Sequence, residues 1–367
     1  MAGVQVQRLG ILMEPREGDP LEVEGVLNPA VARGYDGQLY LFPRLVAASN
    51  YSRIGVARVL FNAAGDPAGV ERLGVALEPE EDYELRPGGG GCEDPRVVFV
   101  EPLQRFVMTY TALSPRGPRI ALAISDDLIE WRRMGLAAFS PYRGIEFEGV
   151  DNKDASMFPI AVPDPFGQPA IALLHRPLFP GTRPEETVAR AGPRVMDLCR
   201  ESIWISYCPI VAADMKARRL GLFTSHHRLA SPAALWERLK IGVGTPPIMS
   251  RHGWLAMYHG VSEEKEPDGR ACLRYSAGVL VLSEAHPRFI RHRSPDPVLT
   301  PQLPYESRGV VDNVIFPTGI DRRNDLGLPD RYDIYYGMAD TRIGVARLDM
   351  PDFLPPGAIA DPSGGVV

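Results

Sequence analysis

Short runs dominated by aromatic and β-branched residues recur along the chain. Each is followed by a turn and a second run rich in small residues, which is the pattern of paired β-strands and not of a 3.6-residue helical period. Gln38–Ala47 leads to Ser52–Val59, Arg105–Ala112 to Pro118–Ser125, and Ala170–Arg176 to Ser202–Tyr207. Gly253–Val261 then leads to Tyr275–Leu282, and Arg331–Ala339 to Thr341–Leu348. Equivalent positions lie 66 residues apart from Tyr40 to Phe106, 65 on to Ile171, 84 on to Leu255 and 77 on to Tyr332. Steps of this size suit a four-stranded sheet with long loops, and five copies account for the chain. The pattern predicts an all-β fold, a five-bladed β-propeller forming a single domain over residues 1–367 with terminal extensions. A β-sandwich with coincidentally similar strands is the alternative. In a propeller the innermost strands converge on a central channel, so a site would be assembled from residues scattered along the chain.

Composition narrows the function classes. The 367 residues include 36 Gly and 36 Pro, which disfavours a helical bundle because Pro removes a backbone donor and Gly costs helix stability. A net charge of -6 without a long basic run argues against nucleic-acid binding, which needs clustered Lys and Arg to neutralise phosphates. No apolar stretch reaches the roughly 18 residues of a membrane span. Met1 to Pro15 lacks the charged start and apolar run of a secretory signal, so a cytoplasmic enzyme without a membrane partner is expected. Cys92, Cys199, Cys208 and Cys272 are far apart and form no CxxC pair, which suggests buried, reduced thiols.

Several polar segments stand out against this background. Gly88–Gly91 precede Cys92, Glu93, Asp94, Pro95 and Arg96. No GK[ST] follows, and VVFV reads as a strand where a phosphate-binding P-loop needs a helix. A flexible turn that delivers Asp94 to the channel is the preferred reading, with an Asp-Pro turn bracing Arg96 as the plain one. DNKDASMFP places Lys153 and Asp154 at a strand entry one repeat later, and LHRP ends a strand with His175 and Arg176. KIGVGTPP contributes Lys240, YHG contributes His259, and DNVIFP contributes Asp312. Cations from Lys153, Arg176, Lys240 and His259 could hold an oxyanion by charge-assisted hydrogen bonds. Asp94, Asp154 and Asp312 could accept hydrogen bonds from sugar hydroxyls. The histidines form no HExxH or His-x-His pattern, so no metal is expected, and His226-His227 before a helical stretch at Trp236 and Glu237 reads as an exposed connection. No GxSxG elbow occurs, which disfavours acyl transfer.

Taken in order, GGGCEDPRV, NKDASMFP, LHRP, KIGVGTPPI, GWLAMYHGV, PYESRGVVDNVIFPTG and YYGMADTRIGVA resemble glycoside hydrolase family 130, the β-mannoside phosphorylases and related β-mannosidases. The match covers roughly residues 25 to 350. The resemblance implies a five-bladed propeller in which inorganic phosphate cleaves a β-mannosidic bond with inversion, giving α-mannose 1-phosphate. Phosphate is then a co-substrate, and no cofactor is expected. Asp94 matches the general acid, thought to protonate the leaving oxygen through the mannose 3-hydroxyl. Asn28, Arg44, Arg53 and Asp312 fall where the family binds sugar, with Asp154 beside them. Lys153, Arg176, Lys240 and His259 fall on the anion-binding side. Partners would be an oligosaccharide, phosphate and, in a homo-oligomer, further copies of the chain.

The charges agree with phosphorolysis. An inverting hydrolase needs a second carboxylate to activate water, whereas phosphate arrives anionic and needs cations to orient it. Two features keep an inverting hydrolase as the alternative. Glu146 and Glu148, just upstream of Lys153, could supply a base, and the Arg/Pro-rich segment from Leu178 to Glu201 matches no family motif. A non-catalytic carbohydrate-binding propeller is the reading from a different class.

Overall fold

The computed structural model describes residues 3–179, 198, 200–210, 220, 222–265 and 269–355. Most of the unmatched Leu178 to Glu201 segment, and Cys199 with it, lies outside the described residues. The fold is all-β, and among the described residues twenty of the twenty-four strands fall into five successive antiparallel groups of four, the short strands Ala138–Phe139, Val162–Pro163, Leu222–Phe223 and Ile248–Ser250 being additional. The first comprises Gly25–Arg33, Leu39–Ala47, Tyr51–Phe61 and Pro67–Leu77. The second comprises Gly90–Val100, Arg105–Ser114, Gly117–Ser125 and Arg132–Leu136, joined to the first by a short parallel pairing of Tyr51 with Gly90 and Ser52 with Gly91. Asp151–Met157, Pro169–Leu178, Ile203–Pro209 and Ser225–Ala230 make the third. Lys240–Val243, Gly253–Lys265, Ala271–Leu282 and Ile290–Arg293 make the fourth. The fifth takes Ile315–Arg322, Arg331–Met338 and Arg342–Asp349 from the C-terminal part of the chain and its outer strand, Gln5–Met13, from the N-terminal part. Every strand pair predicted from the hydrophobic pattern is the second and third strand of one of these groups.

Those middle strands are apolar on both faces because each sheet is packed on both sides. Successive side chains of a strand point to opposite faces. Ile120, Leu122 and Ile124 therefore join a core shared with the third group, while Ala121 and Ala123 join one shared with the first. Likewise Leu255 and Met257 face the fifth group, whereas Trp254 and Tyr258 face the third. One further cluster, with Val31, Leu41 and Val59 against Tyr335, Ile343 and Val345, unites the fifth group with the first. The same seam carries half-buried ion pairs, Arg33 to Asp321 at 2.6 Å and Arg331 to Asp66 at 2.6 Å.

The first strands of the first three groups differ from the sequence expectation. Asp94 is not on a turn before a strand; it lies within Gly90–Val100. Lys153 and Asp154 likewise lie within Asp151–Met157 and not at its entry. The pairing register shifts at Leu27/Ala30, Glu93/Arg96 and Lys153/Ser156, and the backbone turns left-handed at Asn28 (φ 44), Asp94 (φ 47) and Asp154 (φ 57). Asn and Asp tolerate that region better than other side-chain-bearing residues. Each bulge re-aims a polar side chain out of the pleat. His226-His227 is also not an exposed connection: both residues lie on Ser225–Ala230, His226 is buried, and the stretch through Trp236 is a single 3-10 turn. Among the described residues no helix is long and apolar enough to cross a membrane.

Candidate active site

The first two bulges bring Asn28 and Asp94 together. Asn28 Nδ2 donates to Asp94 Oδ1 at 2.8 Å, and Arg44 Nη1, from the neighbouring strand, donates to the same oxygen at 3.2 Å. Among the described residues no side chain engages Asp94 Oδ2. Arg44 is itself over-determined, since its Nη2 donates to Glu93 Oε1 at 2.8 Å and its Nε to Ser52 Oγ at 2.9 Å. Gly337 lies so close that a Cβ there would sit 2.1 Å from Asn28 Oδ1, so the fifth group presses against this pair and requires glycine at the contact. Asp340, three residues on and also left-handed at φ 49, faces the same cluster. Burial pushes its carboxyl up to about 6, with Asp94 and Glu93 adding to the rise and Arg44 opposing it. Burial raises the Glu93 carboxyl too, against the pull of Arg44 and Lys153.

The third and fourth groups supply a cationic wall. Arg176 Nε donates to Asp154 Oδ2 at 2.5 Å, and its Nη1 is paired with Glu201. Arg96 Nη2 lies 4.0 Å from Asp154 Oδ1, and His259 Nε2 lies 3.7 Å from Asp154 Oδ2. Burial pushes the Asp154 carboxyl up, but Arg176, His259, Arg96 and Lys153 together hold it far below the usual carboxylate range. His259 is driven down to about 3, chiefly by burial, so its imidazole is neutral near pH 7; both ring nitrogens lack a hydrogen-bond partner among the described residues. Its ring stacks near Phe316 at 4.4 Å between centroids. Gly242 admits this packing because a Cβ there would meet Asp154 Oδ2 at 2.2 Å and His259 Cε1 at 2.5 Å.

Lys153 joins the two halves. Its ammonium is depressed by burial and by Arg176 and Lys240, while Asp154 and Asp94 pull the other way. Lys153 thus stands within electrostatic reach of the Asp94 cluster and of the cations. Lys240 Nζ lies 5.6 Å from the centre of the Tyr275 ring. Arg96, read from sequence only as a residue that an Asp-Pro turn supports in a salt bridge, instead links two strand groups through backbone carbonyls: its Nη1 donates to the Asp94 carbonyl at 2.8 Å and its Nε to the Gly244 carbonyl at 2.8 Å.

Two expected residues stand apart. Arg53 donates through Nε to both oxygens of Glu78 at 2.8 and 2.9 Å and packs over Tyr51. Asp312 is exposed, and its Oδ1 accepts the Gly309 amide at 3.1 Å. Its loop is nevertheless tied to the Asp340 turn, since Val310 N–H donates to Thr341 Oγ1 at 3.2 Å. Glu146 and Glu148 are also exposed, and Glu146 accepts the amides of Phe147 and Glu148 in its own loop. Asp340, Glu93 and Glu201 are site residues that motif reasoning passed over. Asp340 was visible only as the acidic residue inside YYGMADTRIGVA. Among the described residues no group of three or more His, Cys, Asp or Glu is placed to hold a metal ion.

Comparison with known proteins follows the same outline. Residues 11–354 match the family model Glyco_hydro_130, described as beta-1,4-mannooligosaccharide phosphorylase. A 1,2-beta-oligomannan phosphorylase of Thermoanaerobacter sp. (strain X514) is 29% identical over 360 residues, covering 95% of this chain and 99% of the relative. A beta-1,2-mannobiose phosphorylase of the same organism is 28% identical, covering 92% of this chain and 94% of the relative. Among solved structures, the beta-1,2-mannobiose phosphorylase of Listeria innocua in complex with beta-1,2-mannobiose superposes with a TM-score of 0.67 at 20% identity, covering 94% of this chain and 97% of that one.

Proposed function

The chain belongs to glycoside hydrolase family 130, a family of β-mannoside phosphorylases, and from that premise we propose that it phosphorolyses a β-D-mannoside with inversion, giving α-D-mannose 1-phosphate and a shortened acceptor. The relatives matched over nearly their whole length are named for β-1,2-linked mannosides, so β-1,2-mannobiose is the first substrate to try. We read the five four-stranded groups as the blades of a single propeller domain, because each shares a core with the next and the fifth shares one with the first.

In this reading a phosphate oxygen attacks the anomeric carbon from the side of Lys153, Arg176, Lys240 and His259. The bond from that carbon to the leaving oxygen breaks, and Asp94 supplies the proton that the leaving oxygen takes up. Asn28 and Arg44 pin one oxygen of Asp94 and leave the other to the sugar. Asp340 lies beside that pair on the sugar side, whereas Arg53 is held by Glu78 and Asp312 stays on its exposed loop, so neither is assigned a sugar contact. Asp154 is sealed among its cations and holds Arg176 in place, a positioning role in preference to sugar contact. The observation that carries the proposal is the Asp94 carboxyl, held through one oxygen by Asn28 and Arg44, with Lys153 near enough to feel both Asp94 and the cations Arg176 and Lys240. Crowded cations favour an incoming anion. Of the carboxylates on that wall, Asp154 is sealed against Arg176, and Glu201, paired with the same guanidinium, is the one that solvent still reaches and the one on which the hydrolase alternative would depend.

The test is incubation with β-1,2-mannobiose with and without inorganic phosphate. Mannose 1-phosphate formed only in the presence of phosphate is the expected result. Free mannose released at the same rate in both tubes selects the hydrolase, and sugar binding without turnover selects the carbohydrate-binding module.

A further inference from the structure

Arg176 divides its guanidinium between two carboxylates whose surroundings differ. Asp154 is 1% exposed and enclosed by Arg96, His259 and the glycine face at Gly242. Glu201 is 23% exposed at its side chain. Its own carbonyl accepts the Ile241 amide at 3.2 Å, which ties it to the strand that carries Lys240. A solvent-reachable carboxylate therefore stands on the cationic wall, joined through its side chain to Arg176 and through its backbone to the neighbour of Lys240.

For an anion site this is an odd fixture. A carboxylate repels any incoming anion, and it has no proton of its own to offer near neutral pH. The repulsion is relieved only by an anion that brings a proton. Monohydrogen phosphate carries a P–OH group at neutral pH, and this can donate to a carboxylate. Sulfate has the same shape and charge but no proton. A site built to receive a hydroxyl rejects an analogue that lacks it, because its own polar group is left unpaired.

We infer that Glu201 makes the cationic wall selective for protonated tetrahedral oxyanions, phosphate and arsenate, over unprotonated ones such as sulfate. The inference rests on the phosphorolytic reading. Arg176 and the lysines supply attraction common to all of these anions, and Glu201 accepts the hydrogen bond that only the protonated ones can donate.

The experiment measures, on the full chain, the sulfate inhibition constant and the phosphate KM in phosphorolysis of β-1,2-mannobiose. In Glu201→Gln the ratio of the two is expected to fall about 10-fold or more, roughly what one hydrogen bond to a charged group is worth, because the amide can donate to sulfate. Glu201→Asp is expected to recover part of the discrimination. An unchanged ratio in Glu201→Gln overturns the inference and leaves Glu201 as a brace for Arg176. A second measurement needs no variant: phosphate is expected to raise the melting temperature of the wild-type protein more than sulfate at equal ionic strength. Equal protection by the two anions also overturns it. If neither anion protects and free mannose appears without phosphate, the phosphorolytic reading fails first and this inference with it.

Discussion

Asp94 and Asp154 occupy the same device on the first strands of successive groups. Each sits at a register shift with a left-handed backbone, φ 47 and φ 57, a conformation that costs about 1–2 kcal/mol for a residue with a side chain. Their surroundings then diverge. Asp94 has one oxygen held by Asn28 and Arg44 and a side chain 13% exposed, while Asp154 is enclosed by Arg176, Arg96 and His259. One backbone motif thus yields two settings, a carboxyl with one oxygen held by neutral and cationic donors and a carboxylate spent on a buried cation. The bulge decides where the side chain goes, and its neighbours decide what it can do.

Substitution at each position separates these roles. Asp94→Asn keeps the shape and both contacts to Oδ1 but removes the proton donor, so turnover is expected to fall by about 1000-fold or more with the melting temperature little changed. Full activity in that variant would break the comparison at its first half. Asp154→Asn strips Arg176 of its buried partner and is expected to cost about 3–5 kcal/mol of stability, read by denaturant unfolding, together with a raised phosphate KM. A variant as stable as wild type would mean that the pair is not what holds the wall together.

The smallest effect concerns Asp340, the third carboxylate at a left-handed turn. Its carboxyl is raised to about 6, above the roughly 3.9 of an unfolded aspartate, so the folded state binds the proton more tightly. Stability from this group is present at low pH and is lost as pH rises through about 6. Asparagine does not ionise, so the stability of Asp340→Asn relative to wild type is expected to shift by about 2 kcal/mol in the variant's favour between pH 4 and pH 8. A difference that does not vary with pH would remove Asp340 from the buried cluster.

The middle strands were legible because burial on both faces leaves long apolar runs such as WLAMYHGV, flanked by turn residues. The first strands of the first three groups were not, because their bulges interrupt the two-residue alternation and put Asn-Pro, Asp-Pro and Asp-Ala where a continuous strand is expected to show apolar residues. The polar signals that made Asp94 and Lys153 conspicuous are the same ones that disguised their strands. His226 was misplaced for a related reason: a His-His pair reads as solvent-facing, yet its Nδ1 is satisfied by Ser206 and its Nε2 by the Ser140 carbonyl. Arg96, Asp340 and Glu201 escaped because their value lies in partners 148, 296 and 25 residues away, Gly244, Arg44 and Arg176, and long-range pairing leaves no local trace.

The pairing of Gln5–Met13 with Arg342–Asp349 bears on how the molecule is made. At a translation rate of about 5–20 residues per second, the first of these segments leaves the ribosome tens of seconds before its partner. During that interval it is an unpaired edge, and its sheet cannot be finished until Arg342–Asp349 has emerged. Pairing of this strand is therefore a late event with a large loop-closure cost, and nascent chains stalled short of Arg342 would be the species most exposed to swapping it with a neighbour.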